Sequence, residues 1–244
     1  MKAIILAAGI GRRLGLHYPK CMADVGGTSI IRRQLASLSA AGINEFVVVL
    51  GFERGQLQAH LADLPGQLTF VVNEHFAETN TLYSLYLARR HITGSFYYAN
   101  ADVVFDRRLA LRLYAEPNPT ACAVRFGTCG LEDVKVEIKN RRITRIGKKL
   151  NPAACQGEFV GLARFGPDLA PAFVETLTTA VEGGHVQALK AYFEEAVNTL
   201  CGRWTITPVD IGDLPCCEID FPADLALARN SVAPLLCDQP NQAP

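Results

Sequence analysis

Apolar positions in this chain follow two periods. Continuous apolar runs at 2–6, 46–50 and 96–99 read as strands buried on both faces. The first two run into Gly9 and Gly51, and the third delivers Asn100 and Asp102. Between them the apolar residues recur every third or fourth position, as on one face of a helix. Ile31, Leu35 and Leu38 form one such set, capped by Thr28 or Ser29 and stopped by Gly42. Leu57 and Leu61 form a weaker set, after which Pro65-Gly66 turns the chain into a strand at 68–72; Leu82, Leu85 and Tyr86 form a third behind Asn80. This alternation predicts a parallel sheet with helices on both faces and ligands beyond the carboxyl ends of its strands, where Gly9, Gly51, Asn73 and Asp102 fall.

The second half has a different texture. Stretches 121–126, 134–138 and 142–146 read as antiparallel strands, the last two joined by a tight turn at 139–141, and 159–165 as another strand. Two helices are expected next, one carrying Leu169, Phe173 and Leu177, the other Leu189, Phe193, Val197 and Leu200, separated by Gly183-Gly184. A strand at 205–209 and a helix at 221–229, with Pro222 and Asp224 in its first turn, complete the pattern. Residues 231–244, with three prolines, read as a loose tail. The expected class is α/β: a three-layer α/β/α, Rossmann-like, mostly parallel mixed sheet with an added antiparallel hairpin and a helical region.

Composition narrows the functions. The 244 residues hold 24 Lys+Arg against 24 Asp+Glu and are 49% hydrophobic, which opposes disorder and a surface built for nucleic acid or an anionic membrane. No apolar run approaches the roughly 20 residues that span a bilayer, and Gly9, Arg12 and Arg13 interrupt the first run too early for a secretory signal. The eight cysteines lack a C-x-x-C pair and read as reduced thiols of a cytoplasmic protein; the five histidines show no metal spacing. The zero balance is a sum of opposites: Lys2, Arg12, Arg13 and Lys20 stand without an acid over 1–23, and Asp210, Asp213, Glu218, Asp220 and Asp224 without a base over 204–228. A basic stretch at 139–149 is the third such run. Each reads as a solvated surface, or the first two meet and build a site for an anion and a metal.

The local signal with most chemistry is Leu6-Ala7-Ala8-Gly9-Ile10-Gly11-Arg12-Arg13-Leu14, followed by Pro19-Lys20. Glycines after a buried strand let backbone N–H groups approach phosphate oxygens, and nearby cations neutralise the charge. The string is neither a Walker motif nor G-x-G-x-x-G, since Leu14 takes the last position. Three cations beside a glycine loop repel one another unless an anion joins them.

This string, with Pro19, Lys20, Met22, Val25, Gly27, Ile30 and Ile31 behind it, resembles the N-terminal signature of nucleotidyltransferases of the nucleotide-sugar and phosphocholine cytidylyltransferase type. Asn80-Thr-Leu-Tyr-Ser-Leu85 is similar to a segment beside the base in the phosphocholine-type branch, Asn100-Ala-Asp102 to its strand-end metal aspartate, and Glu218-Ile-Asp220 to its second metal aspartate. Arg12 departs from the family's usual Thr or Ser, which puts the family's arginine at Arg13. The resemblance implies one domain over 1–230, with a nucleotide-binding half at 1–115 and an acceptor-binding half at 116–230. It implies Mg²⁺ on Asp102 and Asp220, and catalysis by Lys20 and Arg13. Nucleotide contacts are expected from Leu6, Ala7, Ala8, Gly9, Gly11, Arg12, Arg13, Lys20, Gly51, Asn80, Ser84 and Ala101. The implied reaction joins CTP and a small phosphorylated alcohol or phosphonate, with no nucleic acid or membrane partner. Transfer of this kind needs positioning and charge screening rather than a covalent nucleophile.

Plainer readings stand beside these. Asp102 and Asp220 each read as a helix cap, and Tyr83 and Tyr86 as core. For the acceptor, the candidates are Lys148, with Lys149 or Arg145 as substitutes, then Glu158 and Tyr83; a charged edge hairpin is the plain alternative. Other outcomes are a sugar-1-phosphate or polyol-phosphate enzyme using CTP, UTP or another NTP, and a non-catalytic nucleotide-binding relative.

Overall fold

The structure is a computed structural model describing residues 1–64, 66–184 and 186–237, with Val186 as backbone only. Pro65 of the expected turn, His185 and residues 238–244 of the expected tail lie outside the described residues.

β1 (Lys2–Ala7) pairs in parallel with β2 (Glu45–Leu50) and β4 (Phe96–Asn100), and β2 with β3 (Gln67–Val72). The sheet continues past β4 through β9 (Gly157–Phe165), antiparallel to it, then β6 (Ala121–Phe126) and β10 (Thr207–Asp210), giving the order β10-β6-β9-β4-β1-β2-β3. β7 (Lys135–Lys139) and β8 (Arg142–Gly147) form the expected hairpin, attached through β7 to β9. This is the mostly parallel mixed sheet expected.

Alternation along β1 divides the core. Ile4 and Leu6 face a cluster with α3 (Thr81–Leu87), α5 (Ala170–Glu182) and α7 (Phe193–Cys201). Ala3, Ile5 and Ala7 face the opposite cluster with α1 (Ile30–Ala40), α2 (Arg54–Leu61) and α4 (Arg107–Ala115). Every apolar side chain of β1 is thus buried, which is why the run shows no period of two in sequence. Ser29 caps α1, its hydroxyl accepting from the Arg32 amide at 3.4 Å, and Asn80 caps α3. No disulfide joins cysteines among the described residues, and Cys21, Cys122 and Cys201 are buried. No helix among the described residues is long and apolar enough to cross a membrane.

Four features differ from expectation. The helix expected through Leu189 and Phe193 is broken into α6 (Val186–Leu189) and α7, with Tyr192 extended between them. Polar groups at the break bind the start of α3: the Asn80 amide donates to the Leu189 carbonyl, the Leu82 amide to the Ala191 carbonyl, and the Phe193 amide to the Thr81 hydroxyl. Tertiary partners outweigh an apolar period that runs through the break. A small antiparallel pair, β5 (Val103–Phe105) with β11 (Cys216–Glu218), has no counterpart in the sequence reading. The last helix is α8 (Pro222–Leu227), continued by a wider turn over Ala228–Val232. Residues 231–237, expected as the start of a loose tail, are instead tied down: Val232, Ala233 and Leu236 pack on a third cluster of Leu14, Val25, Ile30, Val104, Ile219 and Leu225.

Candidate active site

The third cluster places the chemistry. It binds the glycine loop and the Lys20 segment to β5, β11 and α8, so the chain's basic start and acidic end share one floor. Gly11 adopts φ 64, in the left-handed region that favours glycine, and an added Cβ would stand 3.1 Å from the Cβ of Lys20. The turn thus folds the loop directly over the lysine.

Asp102 follows β4, and its carbonyl accepts from the Ile219 amide at 3.0 Å. Pairing of Glu218 with Val103 holds Asp220 opposite. Lys20 Nζ lies between the two aspartates, 2.8 Å from Asp102 Oδ2 and 2.7 Å from Asp220 Oδ1. Arg13 Nη2 takes the other oxygen of Asp220 at 2.7 Å, its guanidinium 4.9 Å from the Phe221 ring centre. Burial opposes charge on Lys20, yet the two aspartates outweigh it and raise its pKa. Burial likewise acts against Asp220, and Lys20 with Arg13 brings it below the ordinary carboxylate range.

Neither aspartate is a helix cap. Asp106 caps α4, its carboxylate accepting from the Arg108 amide, and Asp224 accepts from the amides of Asp220 and Phe221. Asp102 Oδ1 is buried with no hydrogen-bond partner among the described residues. Ligand oxygens of Asp102, Glu218 and Asp220 all lie within 4.8 Å of one another. A buried, unsatisfied carboxylate oxygen beside two more carboxylates is a donor set that suits a hard divalent cation, so these residues fit one. Glu218 is open to the cavity but crowded by protein elsewhere; that desolvation, then the charges of Asp102 and Asp220, pushes its pKa up to about 7.

These groups line a cavity of about 340 Å³ at the carboxyl ends of β1 and β4. Leu6, Ala7, Ala8, Gly9, Gly11, Arg12, Arg13 and Lys20 line it, as do Asn80, Ser84, Ala101, Asp102, Lys148 and Asp220. Ser84 accepts from the amide of Asn73, itself buried in the wall. Five expected residues are not in the lining: Gly51, Tyr83 and Glu158, and the two substitutes for Lys148, Arg145 and Lys149. Gly51 lies behind the loop, where an added Cβ would meet the Ala8 carbonyl oxygen at 2.5 Å, so it permits close packing. Tyr83 stacks on Tyr86, centroids 5.9 Å apart, and Glu158 pairs with Arg125 at 3.4 Å.

Residues missed from sequence include Glu218, Glu194, Tyr98, Tyr192 and Phe193, all in the wall. Glu218 sat in the quoted Glu218-Ile-Asp220 string, where its spacing of two from Asp220 was the available signal. Glu194 gave none, because an acid in the first turn of a helix is ordinary. Gln34 was also missed: its buried amide donates at 2.7 Å to the carbonyls of both Asn100 and Val103, fixing the turn that carries Asp102.

The profile of the MobA-like NTP transferase domain matches residues 3–158. The CTP:phosphoglutamine cytidylyltransferase of Campylobacter jejuni is 27% identical over 248 residues, covering 92% of this chain and 98% of that protein. The choline-phosphate cytidylyltransferase of Streptococcus pneumoniae is 36% identical over 105 residues, 42% of this chain and 44% of that protein. The solved inositol-1-phosphate CTP transferase from T. maritima superposes with a TM-score of 0.75 at 20% identity, covering 95% of this chain and 97% of that one, a likeness of fold. With a glycine loop, paired cations and strand-end aspartates already in place, the match over more than half its length shows that the chain belongs to the MobA-like NTP transferase domain family and is a nucleotidyltransferase.

Proposed function

We propose that the protein transfers a cytidylyl group from CTP to a small phosphorylated alcohol or phosphonate, giving a CDP-linked product and pyrophosphate. The observation that carries this is the convergence of Arg13 and Lys20 with Asp102 and Asp220 beside the glycine loop, in one cavity. The choice of CTP is supported by the two cytidylyltransferases to which the chain is similar.

In this reading the backbone from Leu6 to Gly11 cradles the triphosphate, and the base stands against Asn80, Ser84 and Ala101. An acceptor oxygen forms a bond to the α-phosphorus while the bond from that phosphorus to the bridging oxygen breaks, and the electron pair leaves on pyrophosphate. Both partners are anionic, so the chain's task is to hold them in line and offset charge. Arg13 and Lys20 meet the phosphate oxygens, and Lys148 holds the acceptor phosphate. Asp102 and Asp220, with Glu218, would hold Mg²⁺, which when bound supplies charge neutralisation at the phosphates.

The test is pyrophosphate release with Mg²⁺ and each NTP across phosphorylated amines, polyols and sugars. CTP should be preferred, and Asp102→Ala should reduce release to background; full activity in that variant overturns the site. A sugar or polyol phosphate as the best acceptor would move the reading to that branch.

A further inference from the structure

The cavity wall away from the aspartates holds a carboxylate that the proposed reaction does not use. Glu194, second residue of α7, is 5% exposed, lines the cavity, and its Oε2 makes no hydrogen bond among the described residues. An acid in the first turn of a helix gains from the helix dipole, but that accounts equally for its exposed neighbour Glu195 and gives no reason to bury Glu194. A buried oxygen left without a hydrogen bond is costly, and a ligand that completes it recovers that cost.

The surroundings define what would complete it. Phe193 stacks on Tyr98 with ring centres 3.9 Å apart, and the Tyr192 ring has Lys148 Nζ 5.7 Å from its centre. Lys148 is the one cation acting on Glu194 among the described residues, and it makes no hydrogen bond to it. Aromatic faces and a carboxylate favour a cation. The bare Oε2 adds a stricter demand, because only a group with a hydrogen to donate satisfies it. A trimethylammonium has the charge without the donor, and a hydroxyl the donor without the charge.

Building on the cytidylyl-transfer reading, we propose that Glu194 selects acceptors bearing an N–H-donating ammonium group. The preferred class is then an aminoalkyl phosphate or phosphonate, its phosphate on Lys148 and its ammonium on Glu194.

Calorimetric titration of the full chain, with Mg²⁺ and a non-hydrolysable CTP analogue present, tests this. Aminoethyl phosphate, phosphocholine and hydroxyethyl phosphate are the probes. Aminoethyl phosphate should bind at least about tenfold more tightly than the other two, the low end of what a hydrogen bond to a charged group contributes. Glu194→Gln should erase that preference and leave hydroxyethyl phosphate binding unchanged; Glu194→Asp, which keeps the charge, should retain part of it. Equal binding of the three probes, no measurable binding of aminoethyl phosphate, or a preference that survives in Glu194→Gln overturns the proposal. Pyrophosphate release from CTP, run alongside, separates the two readings: its absence with every acceptor overturns cytidylyl transfer, while the binding order alone decides the role of Glu194.

Discussion

Replacing Lys20 by Met should destabilise the protein without metal, and Mg²⁺ should restore much of the loss. The Lys20 ammonium is 2.8 Å and 2.7 Å from its two carboxylate partners, a separation at which two unit charges attract by about 6 kcal/mol at an effective dielectric constant of about 20. Desolvation of the three groups offsets most of that. Their side chains are 15%, 24% and 21% exposed, so water reaches each of them. Breaking a fully buried pair costs about 3–5 kcal/mol, and this partial exposure scales the expected loss to about 2 kcal/mol. Met keeps the length of the stem, so the change reports charge rather than packing. Deleting the cation leaves Asp102 and Asp220 facing each other beside Glu218, and a divalent cation that binds only the folded state then stabilises by about 2.7 kcal/mol at a hundredfold excess over its Kd. Urea unfolding in EDTA and in Mg²⁺ gives both quantities, and initial rates at saturating CTP should fall about a hundred- to thousandfold through loss of charge stabilisation. The raised pKa of Lys20 fixes the pH sign: its contribution is complete below the ordinary lysine pKa and disappears as pH climbs through the higher folded value. An unchanged urea midpoint in EDTA, or a Mg²⁺ response no larger than that of the parent, would refute this account.

Glu194 has a pH signature of its own. Burial pushes its pKa from 4.5 up to about 7, so the folded state binds its proton more tightly than the unfolded state. Stability should therefore decline as pH rises from about 4.5 through about 7, by about 3 kcal/mol at most, and Glu194→Gln should flatten that part of a urea-midpoint profile; a steeper decline in the variant contradicts the assignment. Gln34→Leu should cost about 2 kcal/mol, because it strips both carbonyl partners from the Asp102 turn, and should weaken Mg²⁺ binding measured by calorimetry as the turn loosens. A metal affinity equal to that of the parent would show that the turn holds its shape without Gln34.

Much of this protein was legible in sequence, for a physical reason. Strands β1, β2 and β4 are buried on both faces, so their apolar runs were unbroken, and the caps Ser29 and Asn80 are local devices written within a few residues of what they cap. The glycine loop with Arg13 and Lys20 is local too, and Asp102 follows its strand immediately. Other features depend on residues far apart. The β5–β11 pair joins Val103 to Glu218, and neither three-residue strand is long enough to show a period. The break between α6 and α7 exists because α3 supplies its hydrogen bonds from about a hundred residues away, and the segment after 230 is ordered by apolar contacts with the glycine-loop floor. Tyr83, Glu158 and Gly51 had suitable chemistry in suitable stretches, yet which way a side chain points is settled by packing. Sequence by itself determined the parallel framework and the basic loop at its edge, since backbone propensity and burial pattern act over short spans. Only the tertiary structure decided that Lys20 stands between Asp102 and Asp220, that Glu218 joins them, and that Glu194 lines the cavity with its Oε2 unpaired among the described residues, because each depends on long-range closure of the chain, which no local pattern encodes.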